Sequence, residues 1–175
     1  RYRLEVRRFL KPAPGARRVG VFEQSVLEMD ENWTALAVKT SRRGLGVQQL
    51  KIQGRVQNGK LEGIVTHGEE TRPFSVPVVG NPTFDAAFLD WLADEAPELG
   101  RIRGRRTINE REASVGPTPR MVRLLQKSRA ETPREAEEIV IAAEQWGMRL
   151  TGLLLHPNGR LARAEGQNHD LTIQE

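Results

Sequence analysis

Three histidines are the first residues to weigh, because imidazole is a common metal ligand and general base. His67, His156 and His169 each stand beside a Gly, Pro, Asn or Asp, a setting typical of exposed turns. His67 with Glu69 and Glu70 is the one short cluster that could hold a metal, and no spacing such as H-E-x-x-H accompanies it. We therefore expect no metal site and no cofactor.

Paired carboxylates and a serine are the other candidates for catalysis. Asp90 and Asp94 lie one helical turn apart, which could serve acid–base chemistry, but they fall on the polar side of an amphipathic pattern and should be solvated. Ser114 lacks the first glycine of a G-x-S-x-G elbow, and no phosphate-binding glycine loop occurs. The sequence therefore predicts a protein that is not an enzyme and has no catalytic residues, with a hydrolase of dispersed catalytic residues left as an open alternative.

One amphipathic helix is predicted over residues 82–96. Pro82 suits the first helical position and Pro97 ends the pattern. Its apolar residues recur at helical spacing and form a single stripe that should pack on a sheet. The stripe consists of Phe84, Phe88, Trp91 and Leu92.

Strand patterns fill most of the remaining chain, since apolar and polar residues alternate in many short segments. Asn58-Gly59 and Asn158-Gly159 each predict a tight hairpin, because Asn-Gly supplies the two positive φ angles of a type I′ turn. A change of face near Gln48-Gln49 indicates a β-bulge. Pro73 and Pro77 cannot donate to a ladder, so they predict an edge strand.

Two segments allow both helix and strand. Residues 121–129 carry an apolar stripe at helical spacing, after a proline that could begin a helix. Residues 132–146 begin with a capping-box pattern, Thr132-Pro-Arg-Glu, but they also contain the β-branched run Ile139-Val-Ile. Both structures stay open for these segments.

The bulk composition suits one folded domain. The chain has 175 residues, 38% hydrophobic content, no cysteine and a net charge of +4. No run of 18 apolar residues is present, so no transmembrane helix is predicted. Residues 1–18 and 101–106 form two basic patches. The chain begins at Arg1 within a predicted strand, and loss of a signal peptide or lipoprotein anchor would explain this start, as would simple trimming.

The tail from Met148 to Gly166 contains the run Leu-Leu-Leu-His-Pro-Asn-Gly-Arg-Leu. It resembles the ending of many secreted bacterial proteins of unassigned function, in which two strands around such a turn close a half-open antiparallel barrel. The order of elements is also similar to that of the lipoprotein carriers LolA and LolB, in which a curved sheet wraps a helical plug over an apolar cavity. The resemblance implies this architecture here and favours a strand for residues 138–145, and no functional residue carries over from it.

We predict a mainly β (α+β) fold: a curved antiparallel sheet or half-open β-barrel of about ten strands around the helix at 82–96, in a single domain over residues 1–175. Many inward aliphatic positions face one short helix, which predicts a leftover apolar cavity between sheet and helix. The predicted ligand-binding residues are Phe84, Phe88, Trp91, Leu92, Leu36, Val38 and Leu153.

The predicted function is that of a non-enzymatic envelope or secreted protein that binds a lipid or another apolar ligand in this cavity. The expected location is the periplasm or the exterior, with the cytoplasm left open. The two basic patches suit an anionic membrane surface as a further partner. They also define the alternative function, a basic nucleic-acid-binding protein, although the N-terminal patch lacks the interleaved exposed aromatics that single-strand binders use for stacking.

Overall fold

The computed structural model describes residues 1–10, 20–44, 47–95, 98–129, 138–144, 150–155, 161–166 and 169–172. Within these ranges the chain forms strands and a single short α-helix. The first strands are β1 (Tyr2–Leu10), β2 (Val21–Met29), β3 (Ala35–Gly44), β4 (Val47–Gln57), β5 (Lys60–His67), β6 (Glu70–Pro77) and β7 (Thr83–Phe84). A 3-10 turn (Asp85–Ala87) and helix α1 (Phe88–Asp94) follow. The later strands are β8 (Ile102–Arg105), β9 (Thr107–Asn109), β10 (Ser114–Val115), β11 (Arg120–Arg129), β12 (Glu138–Glu144), β13 (Leu150–Leu155), β14 (Leu161–Gly166) and β15 (His169–Thr172).

The strands form three sheets. One has six strands in the order β1-β2-β3-β4-β5-β6, a second has the order β10-β9-β7, and a third has the order β15-β14-β13-β12-β11-β8. All neighbours are antiparallel except β7 and β9, which pair in parallel. The mainly β prediction is confirmed, whereas the predicted count of about ten strands is too low, because the described residues contain fifteen.

The chain divides into two compact units. Unit 1 comprises Arg1–Ala86 and Arg106–Pro117, and unit 2 comprises Ala87–Arg105 and Thr118–Glu175. The single domain over residues 1–175 stays a prediction, and each unit is described by itself below.

The two faces of the first sheet of unit 1 differ because side chains alternate along each strand. Leu27, Met29 and Ile52 lie on the inner face and are buried, whereas Glu5, Lys39 and their cross-strand neighbours lie on the outer face and reach solvent. The segments 82–86 and 106–117 pack on the inner face: the hydroxyl of Thr83 donates to the sulfur of Met29 at 3.9 Å, and that of Thr40 donates to the carbonyl of Glu110 at 2.9 Å. This packing makes the inner face the core of the unit.

Several predicted features of the first sheet are confirmed. Asn58 and Gly59 have φ angles of 52° and 70° and join β4 to β5. Arg42 pairs with Leu50 and Gly44 with Val47, so two residues, at 48 and 49, oppose one on β3, which is the predicted bulge. Strand β6, which carries both prolines, lies at the edge of the sheet.

Helix α1 is shorter than predicted and begins six residues later than expected. Thr83 and Phe84 pair with β9 as a strand, and the N–H of Thr83 donates to the carbonyl of Arg106 at 3.0 Å. The backbone groups that would form the first turn of the predicted helix therefore pair with a neighbouring strand instead. No side chain caps α1 at Ala87. The prediction of a helix from residue 82 is wrong because a tertiary strand pairing outweighs the local helical pattern.

In unit 2, both ambiguous segments contain strands. Residues 120–129 form β11 and residues 138–144 form β12, and the two pair antiparallel with a bulge between Leu124 and Gln126. The β-branched run in β12 therefore decides the local structure. The predicted turn at Asn158-Gly159 lies outside the described residues, between β13 and β14, which pair as expected.

Helix α1, with seven residues, is the longest helix in the described ranges, and no helix there has both the length and the apolar content needed to span a membrane.

Replacing Gly59 by Val tests the hairpin of unit 1. A β-branched side chain is strained at a φ of 70°, so Gly59→Val should lower the free energy of unfolding by about 1–3 kcal/mol. The measurement is chemical denaturation, with Lys60→Val at the next, exposed strand position as the matched control. Equal midpoints for the two variants would show that the turn does not constrain the fold.

Candidate functional site

The inner face of unit 1 contains a cluster of buried charges. Glu23 and Glu110 expose no surface, and the guanidinium of Arg8 donates to both, at 2.9 Å to Glu23 and at 2.8 Å to Glu110. Arg42 donates to Glu23 through Nε at 3.0 Å and Nη2 at 2.8 Å. The Nε of Arg111 lies 3.1 Å from the Glu23 carboxylate. Three guanidiniums thus surround one carboxylate.

The elements that position this cluster follow from strand register. Arg8, Glu23 and Arg42 are direct cross-strand partners on β1, β2 and β3. Glu110 and Arg111 arrive on the loop between β9 and β10, and the backbone N–H of Ala86 donates to Glu110 at 3.4 Å. Burial by itself would raise the pKa of Glu23, but hydrogen bonds from Arg42 and Arg8 and the charge of Arg111 hold that pKa below its usual value. The cluster thus fixes the loop to the sheet and keeps Glu23 charged.

Replacing Glu23 by Gln tests this role. The variant leaves three arginines without their shared counter-ion, and we expect a loss of about 3 kcal/mol in the free energy of unfolding. The folded-state pKa of Glu23 is lowered, so its contribution should be complete above a pH of about 4.3 and be lost as the pH falls through the folded-state value.

The matched control is Glu5→Gln, because Glu5 is also bound by an arginine, Arg7, but on the exposed face. An exposed ion pair contributes about 0–1 kcal/mol, so the control should unfold almost as the parent protein does. Equal losses in urea denaturation of both variants would contradict a special role for Glu23.

In unit 2, helix α1 presents aromatic rings to arginines. Phe88 and Trp91 lie with ring centroids 5.3 Å apart, and Phe88 exposes no surface while Trp91 is 5% exposed. The guanidinium of Arg105 lies 5.2 Å from the centroid of the Trp91 ring, and that of Arg120 lies 4.1 Å from the centroid of the Phe88 ring. Such cation–π contacts contribute about 0.5–2 kcal/mol each. The aromatic side of α1 therefore meets cations as well as apolar groups.

Strand β8 turns its arginines toward the helix and its isoleucine toward solvent. Arg105 and Arg120 are cross-strand partners, as are Arg103 and Val122, so all four side chains share one face of the β8–β11 pair. Val122 on this face is 4% exposed, whereas Ile102 on the other face is 37% exposed. The Nε of Arg103 is buried and has no hydrogen-bond acceptor among the described residues. An unsatisfied donor of a cationic group is costly, so this atom marks a place for an acceptor.

The two carboxylates of the helix differ from expectation. Asp94 is exposed, as predicted, but Asp90 is only partly exposed, so the prediction that both are solvated is wrong for Asp90. Burial raises the pKa of Asp90 to about 6, and a hydrogen bond within the residue opposes this rise only in part. The physical reason is that a carboxylate next to the apolar stripe loses water on the packed side of the helix.

Replacing Asp90 by Asn should remove the free-energy cost of burying a charged carboxylate, which depends on pH. The folded-state pKa is raised above the ordinary value of 3.8, so the protonated form favours folding below that pH, and this advantage is lost as the pH rises to about 6. At pH 8 Asp90→Asn should therefore raise the free energy of unfolding by up to about 3 kcal/mol, and at pH 3 it should have little effect.

The matched control is Glu95→Gln, since Glu95 is exposed and follows the last turn of α1. We expect it to change stability by less than about 1 kcal/mol at either pH. Thermal unfolding of both variants at the two pH values is the measurement. A stability gain for Asp90→Asn that does not depend on pH would contradict a raised pKa.

A third candidate site is a groove on the outer face of the first sheet of unit 1. A cavity of 710 Å³ crosses β1 to β5, and a second cavity of 370 Å³ continues from it toward the turn at Asp30. We call the two together the outer groove. Lys39 and Arg55 line it, and neither makes a hydrogen bond or ion pair with a residue in the described part of the chain. It is a polar groove with free cations.

The predicted ligand-binding residues are divided between the two units. Phe84, Leu36 and Val38 belong to unit 1, and Phe88, Trp91, Leu92 and Leu153 belong to unit 2. Phe84, Phe88, Trp91, Leu92 and Val38 are buried, with at most 5% of their surface exposed, as expected for an apolar stripe and a core strand.

Leu36 is the extra residue between two register positions of β3 and lines the 370 Å³ cavity, whose wall contains no residue of the helix. Val38 borders the larger cavity although its side chain is 3% exposed, so the strand itself forms that wall. Leu153 pairs with Val140 and Ala164, and its side chain lies outside the described part of the structure. Ligand binding by these residues stays a prediction.

Within the described ranges, no three His, Asp or Glu side chains come together as a possible metal site.

Among the described residues, several arginines of the two basic patches are paired within the chain. In the first, Arg1 pairs with Glu28 at 2.7 Å, and Arg7 pairs with Glu5. In the second, Arg101 pairs with Glu98. Arg8, Arg105 and Arg106 also make the internal contacts described above or bonds to backbone carbonyls. A nucleic acid would therefore have to compete with bonds that the protein already makes.

These features define a mainly β protein of open antiparallel sheets, with one short helix among its described residues. Its fold is similar to that of a beta-barrel-like protein of the domain of unknown function DUF1849 from Brucella abortus, known from a crystal structure. The TM-score is 0.54, and the match covers 93% of this chain and 74% of that one at 11% identity. No family model and no curated protein matches the sequence. The likeness concerns the fold, and it confirms the predicted resemblance to uncharacterised barrel-like proteins at that level.

Proposed function

We propose that this chain is a non-enzymatic binding protein for an apolar ligand with an acidic headgroup, such as a fatty acid or an anionic lipid, held in unit 2 against α1. The observation that carries the proposal is the buried Nε of Arg103, which finds no acceptor among the described residues. It lies on the sheet face that also presents Arg105 and Arg120 to the aromatic rings.

An acidic headgroup fits this place for a physical reason. A carboxylate or phosphate accepts two hydrogen bonds from one guanidinium in a planar, charge-assisted pair, which neutral acceptors cannot match. Arg103 lies two residues from Arg105 on β8, roughly 7 Å along the strand. The headgroup would therefore bind next to the Arg105 side chain that covers Trp91, with Arg103 as its main partner.

The apolar part of the ligand is proposed to run along the stripe of α1. Phe88, Trp91 and Leu92 offer branched and aromatic surface, and the predicted contact Leu153 lies on β13 of the same unit. Because these helix side chains are buried without a ligand, entry requires part of the packing around α1 to open. The short helix, without a side-chain cap at its start, is suited to such movement.

Two finer expectations belong to the same proposal. Similarity to the lipoprotein carriers LolA and LolB would give the ligand a lipid character and place the protein in the periplasm or outside the cell. The start of the full-length gene tests the location, because a signal peptide would precede the strand that begins at Tyr2. An anionic membrane surface stays a predicted further partner.

The test uses a fluorescent fatty acid, dansyl-undecanoic acid, titrated into the full chain and displaced by palmitate. Arg103→Met keeps the length of the side chain but removes its charge, and we expect it to weaken binding by about tenfold. It should also raise the unfolding temperature of the ligand-free protein, because it removes a donor that has no acceptor among the described residues.

Arg123→Met is the matched control, since Arg123 is the cross-strand partner of Ile102 on the opposite, exposed face of the same strand pair. It should leave both binding and stability unchanged. Equal weakening by the two variants, or probe binding only when the protein is partly unfolded, would overturn the proposal.

A further inference from the structure

We propose that the outer groove binds an extended polypeptide segment with acidic side chains, supplied by a partner protein. This inference goes beyond the proposed function, because it concerns a surface of unit 1 and does not depend on a ligand in unit 2. The argument rests on the size, the free charges and the chemical lining of the groove.

The groove has the dimensions of a short extended chain. It crosses five strands, β1 to β5, which at about 4.8 Å per strand is about 19 Å. An extended peptide advances about 3.3 Å per residue, so roughly six residues would lie across the strands. The larger cavity alone has 710 Å³, and the adjoining one adds 370 Å³ at the end near Asp30.

In the larger cavity of the groove, the charged side chains without a partner among the described residues are cations, whereas the exposed Glu31 lies in the wall of the smaller cavity. Arg3, Lys39 and Arg55 line the larger cavity, are exposed, and have no hydrogen-bond or ion-pair partner in the described part of the chain. The two carboxylates of the larger cavity are already engaged: Glu28 pairs with Arg1 at 2.7 Å, and Glu62 accepts a hydrogen bond from Ser75 at 3.1 Å. Acidic side chains of a partner would meet cations that need no release from other bonds.

The spacing of two cations matches that of an extended chain. Lys39 pairs with Gln53 on β4, and Arg55 is two residues further along the same strand. Such diagonal neighbours are about 7–8 Å apart. Side chains at i and i+2 of an extended peptide point the same way and are about 7 Å apart. Two acidic residues separated by one residue can therefore bind Lys39 and Arg55 together.

The remaining lining favours a peptide over other anions. Val26 and Ile64 supply small apolar surfaces, and Gln53 supplies an amide that can bond to a peptide backbone. The described residues that line the groove include no aromatic side chain on which a nucleic-acid base could stack. Glu28 and Glu62 would also repel a continuous polyphosphate, whereas a peptide can place neutral residues beside them.

The experiment measures fluorescence anisotropy of a fluorescein-labelled octapeptide of alternating Glu and Val, capped at both ends, with the full chain. We expect saturable binding that weakens with added salt, and no binding of the matching peptide of alternating Lys and Val. Lys39→Glu and Arg55→Glu should each weaken binding by about tenfold. Both positions are exposed, and their unfolding midpoints should remain those of the parent protein.

Arg123→Glu makes the same change of charge at an exposed strand position of unit 2 and should alter affinity by less than about twofold. Absence of binding by the acidic peptide would overturn the proposal, and so would equal weakening by Arg123→Glu. The same titrations with single-stranded oligothymidine and with phosphatidylglycerol vesicles complete the test. Tighter binding of either one, lost in Lys39→Glu and Arg55→Glu, would reassign the groove to that polyanion or membrane.

Discussion

The carboxylate of Glu23 is the interaction on which the arrangement of unit 1 depends. It accepts hydrogen bonds from Arg8 and Arg42 on the neighbouring strands and from Arg111 on the loop after β9. These three arginines come from parts of the sequence as far as 103 positions apart. A hydrophobic contact could hold these parts together but would not fix their alignment. A buried carboxylate with three partners is satisfied in one arrangement of strands and loop, and a shift by one residue would leave it unpaired.

The inner face of the first sheet changes character in register with this cluster. The row that contains Glu23 is charged, the next row carries the hydrogen-bonded hydroxyls of Ser25 and Thr40 at 2.9 Å, and the row after that is apolar at Leu27 and Val38. The segment packed on this face places the Glu110 side chain at the charged row, where Arg8 binds it. The backbone carbonyl of Glu110 accepts a hydrogen bond from Thr40. Polar groups therefore meet polar groups and apolar groups meet apolar groups, which leaves one favourable position for the returning chain.

The sequence allowed prediction of the features that depend on local geometry. The hairpin at Asn58-Gly59, the bulge at Gln48-Gln49 and the edge strand with Pro73 follow from backbone preferences that act wherever the residue lies. The start of the helix and the sides of β8 depend on other parts of the chain. Thr83 joins a ladder with a strand more than twenty positions later, and Arg103 lies on the packed side while Ile102 faces solvent. No local pattern contains that information, because the residue types alone favour the reverse arrangement.

Of the candidate site, the sequence allowed prediction of the buried aromatic stripe and of a basic patch at 101–106, but not of the contacts between the two. The arginines of unit 1 and unit 2 show why the residue type alone does not predict the role of an arginine. Arg8 and Arg42 are part of a satisfied network, so their role is explained by the fold. Arg103 has the same side chain, but its buried Nε meets no acceptor among the residues that the structure describes. A buried donor that has its acceptor can be retained for stability, whereas a buried donor without an acceptor opposes folding and needs another reason to persist.

The free cations of the outer groove indicate a binding site for a different reason than Arg103 does. Lys39 and Arg55 are exposed to water, so the lack of a partner in the described chain costs them almost nothing. They indicate a binding site through their spacing and through the groove that contains them, and they do not destabilise the fold. The two sites therefore differ in what binding does: an acidic headgroup at Arg103 would relieve an existing penalty and stabilise the folded chain, whereas a peptide in the groove would gain mainly from charge pairs that salt weakens. A ligand-dependent rise in unfolding temperature that persists at high salt thus belongs to the site in unit 2, and binding that is lost with salt belongs to the groove in unit 1.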